Sequence, residues 1–432
     1  MKSVCVIGGG IAGLSAAVFL AEENFNVTLF EKRQSLGGRL CSYFDRTLNC
    51  YFDNGQHLLI GAYDSTFLFL DIIGAKENFK FQSRLRIPFL LSNGNETLFQ
   101  LPKQNNKLSA ALSFLNLKTL SILDRFKIIS MLYKLQRIDS DEYLEKSVVD
   151  FLTENNQSKV SQERFWNIIA ISTLNCSPCD ASAKMFIDVL KVIFLTGTQK
   201  SILVIPKIDL SNSYVTRCIE YFNKKKCTIN IGEGIEKINL SENSISSILT
   251  SQKRKLEYDY YILAVDWENC DEILTQSYGS NHKFNLRRSP ILSVHLWTDR
   301  SFMKEEFYSL VGSPIQWVFR KNGFVSIVVS NPGKLIELSK EEIVELCDQE
   351  LKKYFRCYGN ARIVDFRIVK EKKATFIPDA NSFRIRPTQE TNIKNLFLSG
   401  DWTMTSLPST IESAALSSKK CAEIICNREK AI

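Results

Sequence analysis

The 432-residue sequence is poor in metal-ligating patterns and in long apolar runs. Its three histidines, His57, His282 and His295, stand far apart, and its one close cysteine pair, Cys176 and Cys179, has no second half with ligand spacing. Such isolated side chains argue against a metal centre. No run of about 18 or more apolar residues occurs, so we expect no membrane-spanning helix. The other cysteines are scattered singly, which is typical of reduced thiols in the cytoplasm.

The composition indicates a folded globular protein. Apolar residues make up 44% of the chain and charged residues 24%, with 19 glycines and 10 prolines. These values exclude a disordered or collagen-like chain. At roughly 150 residues per domain, the length suggests two or three domains. The 55 basic and 47 acidic residues leave a net charge of +8, which allows attraction to an anionic surface but does not indicate a nucleic-acid-binding protein.

The clearest motif lies at the N-terminus. An apolar strand is predicted over residues 2–7, a helix over residues 14–23 and a second strand over residues 26–30. The turn between the first strand and the helix has the pattern G-x-G-x-x-G, formed by Gly8, Gly9, Gly10, Ile11, Ala12 and Gly13.

Each part of this motif has a task in binding a dinucleotide. Gly8 permits the tight turn, Gly10 lets a pyrophosphate approach the backbone, and Gly13 lets the helix pack closely on the strand. The helix N-terminus offers free N–H groups and a positive dipole end to the phosphates. Glu31 ends the second strand, where an acidic side chain accepts hydrogen bonds from the ribose. This carboxylate disfavours the 2′-phosphate of NADP.

The segment after Glu31 indicates FAD rather than NAD. Residues 32–39 start with Lys32 and end in Gly38 and Arg39, and they are similar to the GGR segment of the flavin amine oxidase and carotenoid desaturase superfamily. In that superfamily the glycines pass close to the flavin, and the arginine faces the cofactor phosphates or the ring edge.

A second segment near the C-terminus supports the same cofactor. An apolar strand over residues 395–399 ends in Gly400 and Asp401, which is similar to the second FAD motif, whose aspartate binds the ribityl chain. The last helix opens at Thr410 and Ile411. In this superfamily the N-terminus of that helix points at the flavin and stabilises the negative charge of its reduced form.

Within this superfamily the chain resembles the hydroxysqualene dehydroxylases, also called squalene-associated FAD-dependent desaturases. The resemblance runs in matching order through residues 52–63, 174–183, 374–376, 400–403 and 407–412. It implies a reductive step in which a hydroxylated C30 isoprenoid loses its hydroxyl group and gains a hydride from reduced FAD. The product, squalene, would feed hopanoid synthesis, a branch of terpenoid metabolism.

The motifs and the resemblance together give a predicted cofactor site. In the strand pair over residues 228–240 the family places a backbone contact to the adenine, which falls at Ile231 or at Ile235. The predicted FAD-binding residues are Gly8, Gly10, Ile11, Ala12, Gly13, Glu31, Lys32, Gly38, Arg39, Asn54, Gly55, Gln56, His57, Ile235, Gly400, Asp401, Thr410 and Ile411.

His57 has a second interpretation. The leaving hydroxyl group needs a proton, and His57 is the one titratable side chain of residues 52–63 whose ordinary pKa suits that task. The alternative is that His57 only hydrogen-bonds the backbone or FAD beside the ring. No second G-x-G-x-x-G occurs, so the electron donor stays unknown.

The predicted fold is α/β, with a Rossmann-like FAD-binding domain and an interleaved α+β substrate domain. Residues 1–80, 205–270 and 385–432 would form the FAD-binding domain. Residues 81–204 and 271–384 would form the substrate domain.

Residues 101–137 concentrate much of the positive charge. They contain seven basic residues and one acidic residue, Asp124, among many leucines, isoleucines and phenylalanines. A basic amphipathic region can lie on an anionic bilayer, and a water-insoluble C30 substrate favours docking on the inner face of the cytoplasmic membrane. The alternative is two ordinary helices whose apolar faces lie in the domain core.

Two other functions compete with the dehydroxylase. One is a related flavin enzyme that works oxidatively, either a carotenoid or phytoene desaturase or an amine oxidase. Amine oxidases usually carry an aromatic cage and a lysine beside the flavin, and the sequence alone locates neither. The other is a non-catalytic isoprenoid carrier that keeps FAD for structural reasons.

Overall fold

A computed structural model describes residues 1–103, 107–278 and 283–431. His282 and residues 104–106 of the basic region lie outside the described residues. The strands are β1 (Ser3–Ile7), β2 (Asn26–Glu31), β3 (Ser42–Asp45), β4 (Cys50–Asp53), β5 (Leu59–Ile60), β6 (Phe79–Phe81), β7 (Arg86–Leu90), β8 (Glu96–Gln100), β9 (Leu203–Pro206), β10 (Thr228–Ile231), β11 (Ile235–Ser241), β12 (Ser244–Thr250), β13 (Lys255–Leu256), β14 (Tyr260–Leu263), β15 (Arg288–Thr298), β16 (Phe307–Leu310), β17 (Trp317–Arg320), β18 (Val325–Ser330), β19 (Ile363–Phe376) and β20 (Leu396–Leu398).

The helices connect these strands and cover their faces. They are α1 (Ile11–Glu22), α2 (Asp64–Ile72), α3 (Lys107–Leu115), α4 (Ile122–Lys134), α5 (Val148–Glu154), α6 (Lys159–Ser161), α7 (Asn167–Leu174), α8 (Ala183–Leu195), α9 (Thr198–Ser201), α10 (Thr216–Lys225), α11 (Trp267–Tyr278), α12 (Lys340–Tyr354), α13 (Ala380–Ile385) and α14 (Ile411–Lys430).

A five-stranded parallel sheet forms the first layer of the molecule. Its strand order is β10-β2-β1-β14-β20, and every neighbouring pair is parallel. β14 is wholly buried and β1 nearly so, because continuous apolar runs suit strands that are covered on both faces. The predicted Rossmann-like α/β class is confirmed, with the strand over residues 2–7 observed at Ser3–Ile7.

Two helices from opposite ends of the sequence close one side of this sheet. α1 is buried along nearly its whole length and packs against α14. The Ser418 hydroxyl donates a hydrogen bond of 2.6 Å to the backbone carbonyl of Ala12. The FAD-binding layer is therefore assembled from segments far apart in the chain.

A seven-stranded sheet forms the second layer. Its order is β19-β15-β18-β17-β16-β7-β8, and only β16 and β7 pair in parallel. Alternate residues of β15, such as Val294 and Leu296, pack with α12 in one core, because successive side chains of a strand point to opposite faces. The other face carries Ile291, which packs against a second core built from strands of this sheet and from helices α3, α4, α5, α7 and α8.

A small sheet joins the two layers. β5, β9 and β6 pair antiparallel in that order. The expected domain limits at residues 80/81 and 204/205 fall inside β6 and β9, so the chain crosses between the layers through strands that pair with each other. We propose the interleaved division into two domains with this shared sheet as the junction.

The described part of the basic region over residues 101–137 contains two helices, α3 and α4, joined by a loop. Phe114, Ile128 and Met131 lie in the second core, as the core-packing alternative expects. Other apolar side chains of the same helices are exposed, as described below. No helix within the described ranges is long and apolar enough to cross a bilayer.

Candidate active site

The glycine-rich turn lies at the carboxyl end of β1. Gly8 has a φ of +112°, and a Cβ atom there would lie 2.5 Å from the Ala264 carbonyl oxygen. A Cβ atom on Gly13 would overlap the carbonyl oxygen of Gly8, whereas one on Gly10 would meet no atom within 4 Å. Gly8 and Gly13 are therefore needed for packing, and Gly10 faces open space where a phosphate can approach.

Glu31 holds this turn from the end of the neighbouring strand. One carboxylate oxygen accepts a 2.6 Å hydrogen bond from the Gly9 N–H, and the other accepts one of 2.8 Å from the Arg33 N–H. A carboxylate offers about four acceptor positions. Glu31 thus fixes the loop and keeps capacity for ribose hydroxyl groups.

The GGR segment runs directly beside the glycine-rich turn. The Gly37 N–H donates a 2.8 Å hydrogen bond to the Gly9 carbonyl oxygen, and Gly37 and Gly38 have φ angles of +104° and +60°. These left-handed conformations favour glycine. The segment delivers Arg39, whose Nη2 lies 2.6 Å from Asp401 Oδ1 and whose Nη1 donates to the Ala374 carbonyl oxygen.

Asp401 follows β20 and is buried. Burial alone would raise the pKa of its carboxyl group, but the charge and hydrogen bond of Arg39, together with the Ser409 hydroxyl, bring the pKa below its ordinary value. The group is therefore an anion that can accept a further hydrogen bond from a bound ligand.

The N-terminus of α14 points into the same region. Thr410 caps it by accepting a 3.1 Å hydrogen bond from the Ser413 N–H. The Glu412 carboxylate accepts hydrogen bonds from the Ser65 N–H (2.9 Å), the Thr66 N–H (2.8 Å) and the Thr66 hydroxyl (2.7 Å). Glu412 thereby accepts hydrogen bonds from the free N–H groups in the first turn of α2. The sequence motifs did not indicate this role.

Residues 54–57 form the wall between the two layers. The Asn54 side-chain N–H₂ donates to the Arg39 carbonyl oxygen at 3.3 Å. The Asn54 Oδ1 and Gln56 Oε1 atoms are buried and have no hydrogen-bond partner among the described residues. Buried acceptors without partners are costly, so both atoms are suited to bind donor groups of a cofactor.

His57 lies in the same wall and is partly buried. Its burial, and then the positive charges of Arg39 and Lys321, lower the pKa of the imidazole from 6.5 to about 4. The ring is therefore neutral near pH 7. This state favours the hydrogen-bonding interpretation of His57 over the proton-donor interpretation.

Lys321 lies near residues 54–57 and is paired with Asp53. Its Nζ atom lies 3.7 Å from Asp53 Oδ2, and the side chain is largely buried. Burial, opposed by Asp53, lowers the pKa of Lys321. Lys321 is not among the residues that line the cavity described next.

One cavity of about 1220 Å³ brings these elements together. Every predicted FAD-binding residue except Gly13 lines it, and Gly13 packs behind the turn instead. Of the two isoleucines considered for the adenine contact, Ile235 lines the cavity and Ile231 does not. The open space at Gly10, the unpartnered acceptors of residues 54–57 and the anionic Asp401 fit FAD.

The far half of the cavity is apolar. It is lined by side chains of the seven-stranded sheet, of α7 and α8 and of the turn just before α7, among them Ile87, Phe89, Phe99, Phe165, Phe194, Trp317, Phe319 and Val328. Ligand pockets usually measure about 300–1,000 Å³. The larger volume leaves room for an apolar ligand beside a dinucleotide.

The few polar groups in this half are mostly engaged with the protein. The Ser172 hydroxyl accepts a 2.8 Å hydrogen bond from the Trp317 indole N–H. Asn175, in the left-handed region at the end of α7, donates to the Thr375 hydroxyl at 2.8 Å and accepts from the Asn331 N–H at 2.7 Å. The segment 174–175 singled out in the sequence therefore joins α7 to the sheet.

No cluster of three His, Cys, Asp or Glu side chains that could hold a metal ion occurs in the part of the chain that the structure describes. All twelve cysteines are free, including Cys176 and Cys179. Burial raises the pKa of the Cys176 thiol to about 12, so this thiol is protonated near neutral pH.

The chain is similar to known proteins over nearly its whole length. The model of the family "Flavin containing amine oxidoreductase" matches residues 11–426. The hydroxysqualene dehydroxylase of Sinorhizobium fredii is 24% identical, with 98% of each chain covered, and that of Zymomonas mobilis is 25% identical, with 98% and 99% covered. The zeta-carotene desaturase of Solanum lycopersicum is 23% identical, covering 98% of this chain and 81% of its own.

A solved structure shares the fold. An oxidoreductase from Methanosarcina mazei superimposes with a TM-score of 0.76 at 16% identity, and the match covers 98% of this chain and 100% of the other. The two-layer architecture is therefore an established one.

Proposed function

The chain belongs to the flavin-containing amine oxidoreductase family and is an FAD-dependent oxidoreductase, and we propose that it converts hydroxysqualene to squalene by reductive dehydroxylation. The names of the relatives from Sinorhizobium and Zymomonas support this choice, since the matches cover 98% of this chain and 98% and 99% of those proteins, against 81% of the zeta-carotene desaturase. The resemblance in residues 52–63 and 407–412 is part of the same similarity.

The observation that carries the proposal is the shape and lining of the cavity. Its polar half contains the predicted FAD site, and its apolar half is walled by aromatic and aliphatic side chains. A C30 isoprenoid has no polar surface except its hydroxyl group, so burying it in such a pocket is favourable by roughly 25 cal/mol per Å² of apolar area. Because the halves are continuous, the reacting carbon can reach the cofactor.

The proposed reaction needs only a proton and a hydride besides the substrate. The carbon–oxygen bond breaks, the hydroxyl group takes a proton and leaves as water, and the carbon gains a hydride. FAD, when bound in its reduced form, supplies that hydride. The substrate carbon is allylic or nearly so, and the positive charge that develops there is delocalised.

The side chains around the substrate protect this charge from water. Trp317 and Phe319 lie nearly parallel, with ring centroids 6.4 Å apart, and both line the apolar half. Aromatic faces attract positive charge, and the apolar walls keep out water, which would otherwise capture the cation.

Residues 54–57 line the cavity on the side of the proposed flavin site. We propose that His57 hydrogen-bonds beside the flavin in its neutral form rather than donating the proton. Because burial lowers its pKa to about 4, the imidazole is mainly neutral near pH 7, which favours this hydrogen-bonding role.

The proposed substrate and product also bear on location and metabolic role. Both are C30 isoprenoids that dissolve in lipid, the substrate with one hydroxyl group and the product with none, so we place the enzyme in the cytoplasm, in contact with the inner face of the membrane. Squalene formed there would supply hopanoid synthesis. The electron donor is left open.

The test is product analysis by mass spectrometry. Enzyme reduced with dithionite under anaerobic conditions is incubated with hydroxysqualene in detergent, and squalene is the expected product. Oxidised enzyme given hydroxysqualene, and reduced enzyme heated before mixing, are the controls. Absence of squalene from the reduced, flavin-loaded enzyme would contradict the proposal.

A second candidate function is oxidative desaturation. The similarity to the tomato zeta-carotene desaturase favours it, because it covers 98% of this chain. Oxidised enzyme is incubated with phytoene or squalene and a quinone as electron acceptor. A product that has lost two hydrogens, with no squalene formed from hydroxysqualene by reduced enzyme, would select this function instead.

A further inference from the structure

Helix α4 turns an apolar face to solvent. Ile122, Leu123, Phe126 and Tyr133 are 67%, 64%, 57% and 61% exposed. The buried face of the same helix carries Asp124, Ile128 and Met131. A surface helix normally exposes its polar residues, so the outward face of α4 has the opposite composition.

A neighbouring helix extends this surface. Leu112 of α3 is 51% exposed, and α3 packs beside α4. Large exposed side chains scattered singly need no explanation, but several on adjacent turns mark an interaction site. We call the surface formed by Leu112, Ile122, Leu123, Phe126 and Tyr133 the α4 face.

Three basic residues lie near the α4 face: Lys118 between α3 and α4, Lys134 at the end of α4, and Arg137 just after it. Lys118, Lys134 and Arg137 are exposed, and none of them makes an ion pair among the described residues. Arg137 stacks over the Tyr133 ring at 5.7 Å. The acidic residue of the region, Asp124, is buried and hydrogen-bonded to Ser121. The α4 face therefore combines exposed apolar side chains with exposed basic residues on or next to the same helices.

The helices behind the α4 face are held firmly to the protein. Arg125 of α4 donates to the carbonyl oxygens of Leu115 and Leu120 at 2.7 to 3.0 Å. The Gln157 side chain donates to the Lys127 carbonyl oxygen at 3.2 Å. The exposed side chains of the α4 face thus stand on helices that are hydrogen-bonded to the rest of the protein.

The α4 face also lies close to the cavity. Phe114 of α3 packs against Phe99, Phe165 and Phe194, with ring centroids 5.0, 5.9 and 5.7 Å away. These three rings line the apolar half of the cavity. One layer of aromatic side chains therefore separates α3 from the proposed substrate pocket.

We propose that the α4 face docks on an anionic phospholipid bilayer. Its apolar side chains enter the boundary between headgroups and acyl chains, and Lys118, Lys134 and Arg137 contact lipid phosphates. The mixture of exposed apolar residues and unpaired cations matches such a surface better than a protein partner. The choice of a lipid rests partly on the proposed function, whereas the face itself does not depend on it.

The experiment is co-sedimentation of the flavin-loaded protein with vesicles. One set contains equal parts of phosphatidylglycerol and phosphatidylcholine, and the other contains phosphatidylcholine alone. Wild-type protein binds the anionic vesicles at low salt and binds at least about tenfold more weakly in 0.5 M salt or without phosphatidylglycerol. The double variant Ile122→Glu/Phe126→Glu loses binding by at least about tenfold.

A control places a single apolar-to-glutamate change elsewhere. Val364 is 64% exposed on β19, away from α4, and Val364→Glu binds vesicles as the wild type does. Thermal unfolding and flavin content of the double variant equal those of the wild type, which shows that it folds. If the double variant binds anionic vesicles as tightly as the wild-type protein does, the proposal is overturned.

Two further results would also overturn it. One is a wild-type protein that ignores anionic vesicles at low salt. The other is a dimer in solution that the double variant converts to a monomer, since a second copy would then cover the face. Squalene formation in detergent is measured separately, so failure of the proposed reaction leaves the vesicle result intact.

Discussion

Arg39 and Asp401 are 362 residues apart in the sequence, yet Arg39 Nη2 lies 2.6 Å from Asp401 Oδ1. The Asp401 carboxylate also accepts a hydrogen bond from the Ser409 hydroxyl. This ion pair ties the GGR segment after β2 to the end of β20. Both segments line the cavity, so the pair holds two parts of the predicted FAD site in register.

Removing the Arg39 guanidinium should lower both the stability of the protein and its affinity for flavin. Arg39→Ala leaves Asp401 buried with Ser409 as its remaining side-chain partner, and we expect unfolding free energy to fall by about 1–3 kcal/mol, since Arg39 is partly exposed. The ratio of flavin to protein absorbance should fall as well. Arg217→Ala, which breaks an exposed pair with Glu77, is the control and should change stability by less than about 1 kcal/mol. Full flavin content in Arg39→Ala would contradict the assignment.

Substitutions at two glycines of the turn should have different effects, one on cofactor binding and the other on stability. A Cβ atom on Gly10 meets open space, whereas one on Gly13 overlaps the Gly8 carbonyl oxygen. Gly10→Ala should fold with wild-type stability and bind FAD at least about tenfold more weakly. Gly13→Ala should lose stability by about 1–3 kcal/mol because the helix must move. Urea unfolding and flavin titration of the apoproteins measure both, and a Gly10→Ala protein with normal FAD affinity would be the contrary result.

Glu412 should matter through helix α2. In Glu412→Ala three donors of Ser65 and Thr66 lose their acceptor, and we expect a loss of about 2–4 kcal/mol. Glu412→Gln keeps one acceptor oxygen and should cost about 1 kcal/mol. Glu423→Ala, which removes an exposed i,i+4 pair with Lys419, should change stability by less than about 0.5 kcal/mol. Equal effects of the alanine substitutions in denaturant unfolding would show that Glu412 does not hold α2.

Buried histidine should make the protein sensitive to acid. Burial, only partly offset by the Asp53 backbone, lowers the pKa of His295 from 6.5 to about 4. Between these values the unfolded chain binds a proton that the native ring does not, so stability falls as pH drops from 6.5 towards 4. His295 packs against Phe52 and Phe324, with ring centroids 5.2 and 5.8 Å away.

His295→Phe keeps this aromatic contact and removes the titration. Its unfolding free energy, measured in urea at several pH values between 7 and 5, should depend less steeply on pH than that of the wild type. Some dependence remains because the pKa of His57 is lowered to about 4 as well. Parallel curves for variant and wild type would show that His295 does not titrate differently on unfolding.

Short-range patterns predicted the cofactor half of the molecule well. The strand before Gly8, the helix after Gly10 and the acidic end of β2 follow from local spacing, and the structure places them around one cavity. The steric roles of Gly8 and Gly13 also follow from the motif. The unpartnered acceptors of Asn54 and Gln56 could not be foreseen, because hydrogen-bond partners depend on distant segments.

The contacts that could not be predicted from the sequence join residues that are far apart in the chain. Nothing local indicates that Glu412 caps α2, that Asn175 contacts Thr375, or that β7 pairs with β16. The region 101–137 shows the same limit. Its helical periodicity indicates an apolar face, but which face is covered depends on the neighbouring elements, and the structure divides its apolar residues between the core and the surface.

The parallel sheet has a consequence for how the protein is made. Its strands come from residues 3–31, 228–263 and 396–398, and α14 covers α1 from the far end of the chain. The glycine-rich turn is translated before strand β20 and helix α14. The predicted cofactor site therefore cannot form completely until residues 396–430 have been translated, and until then α1 lacks the helix that covers it.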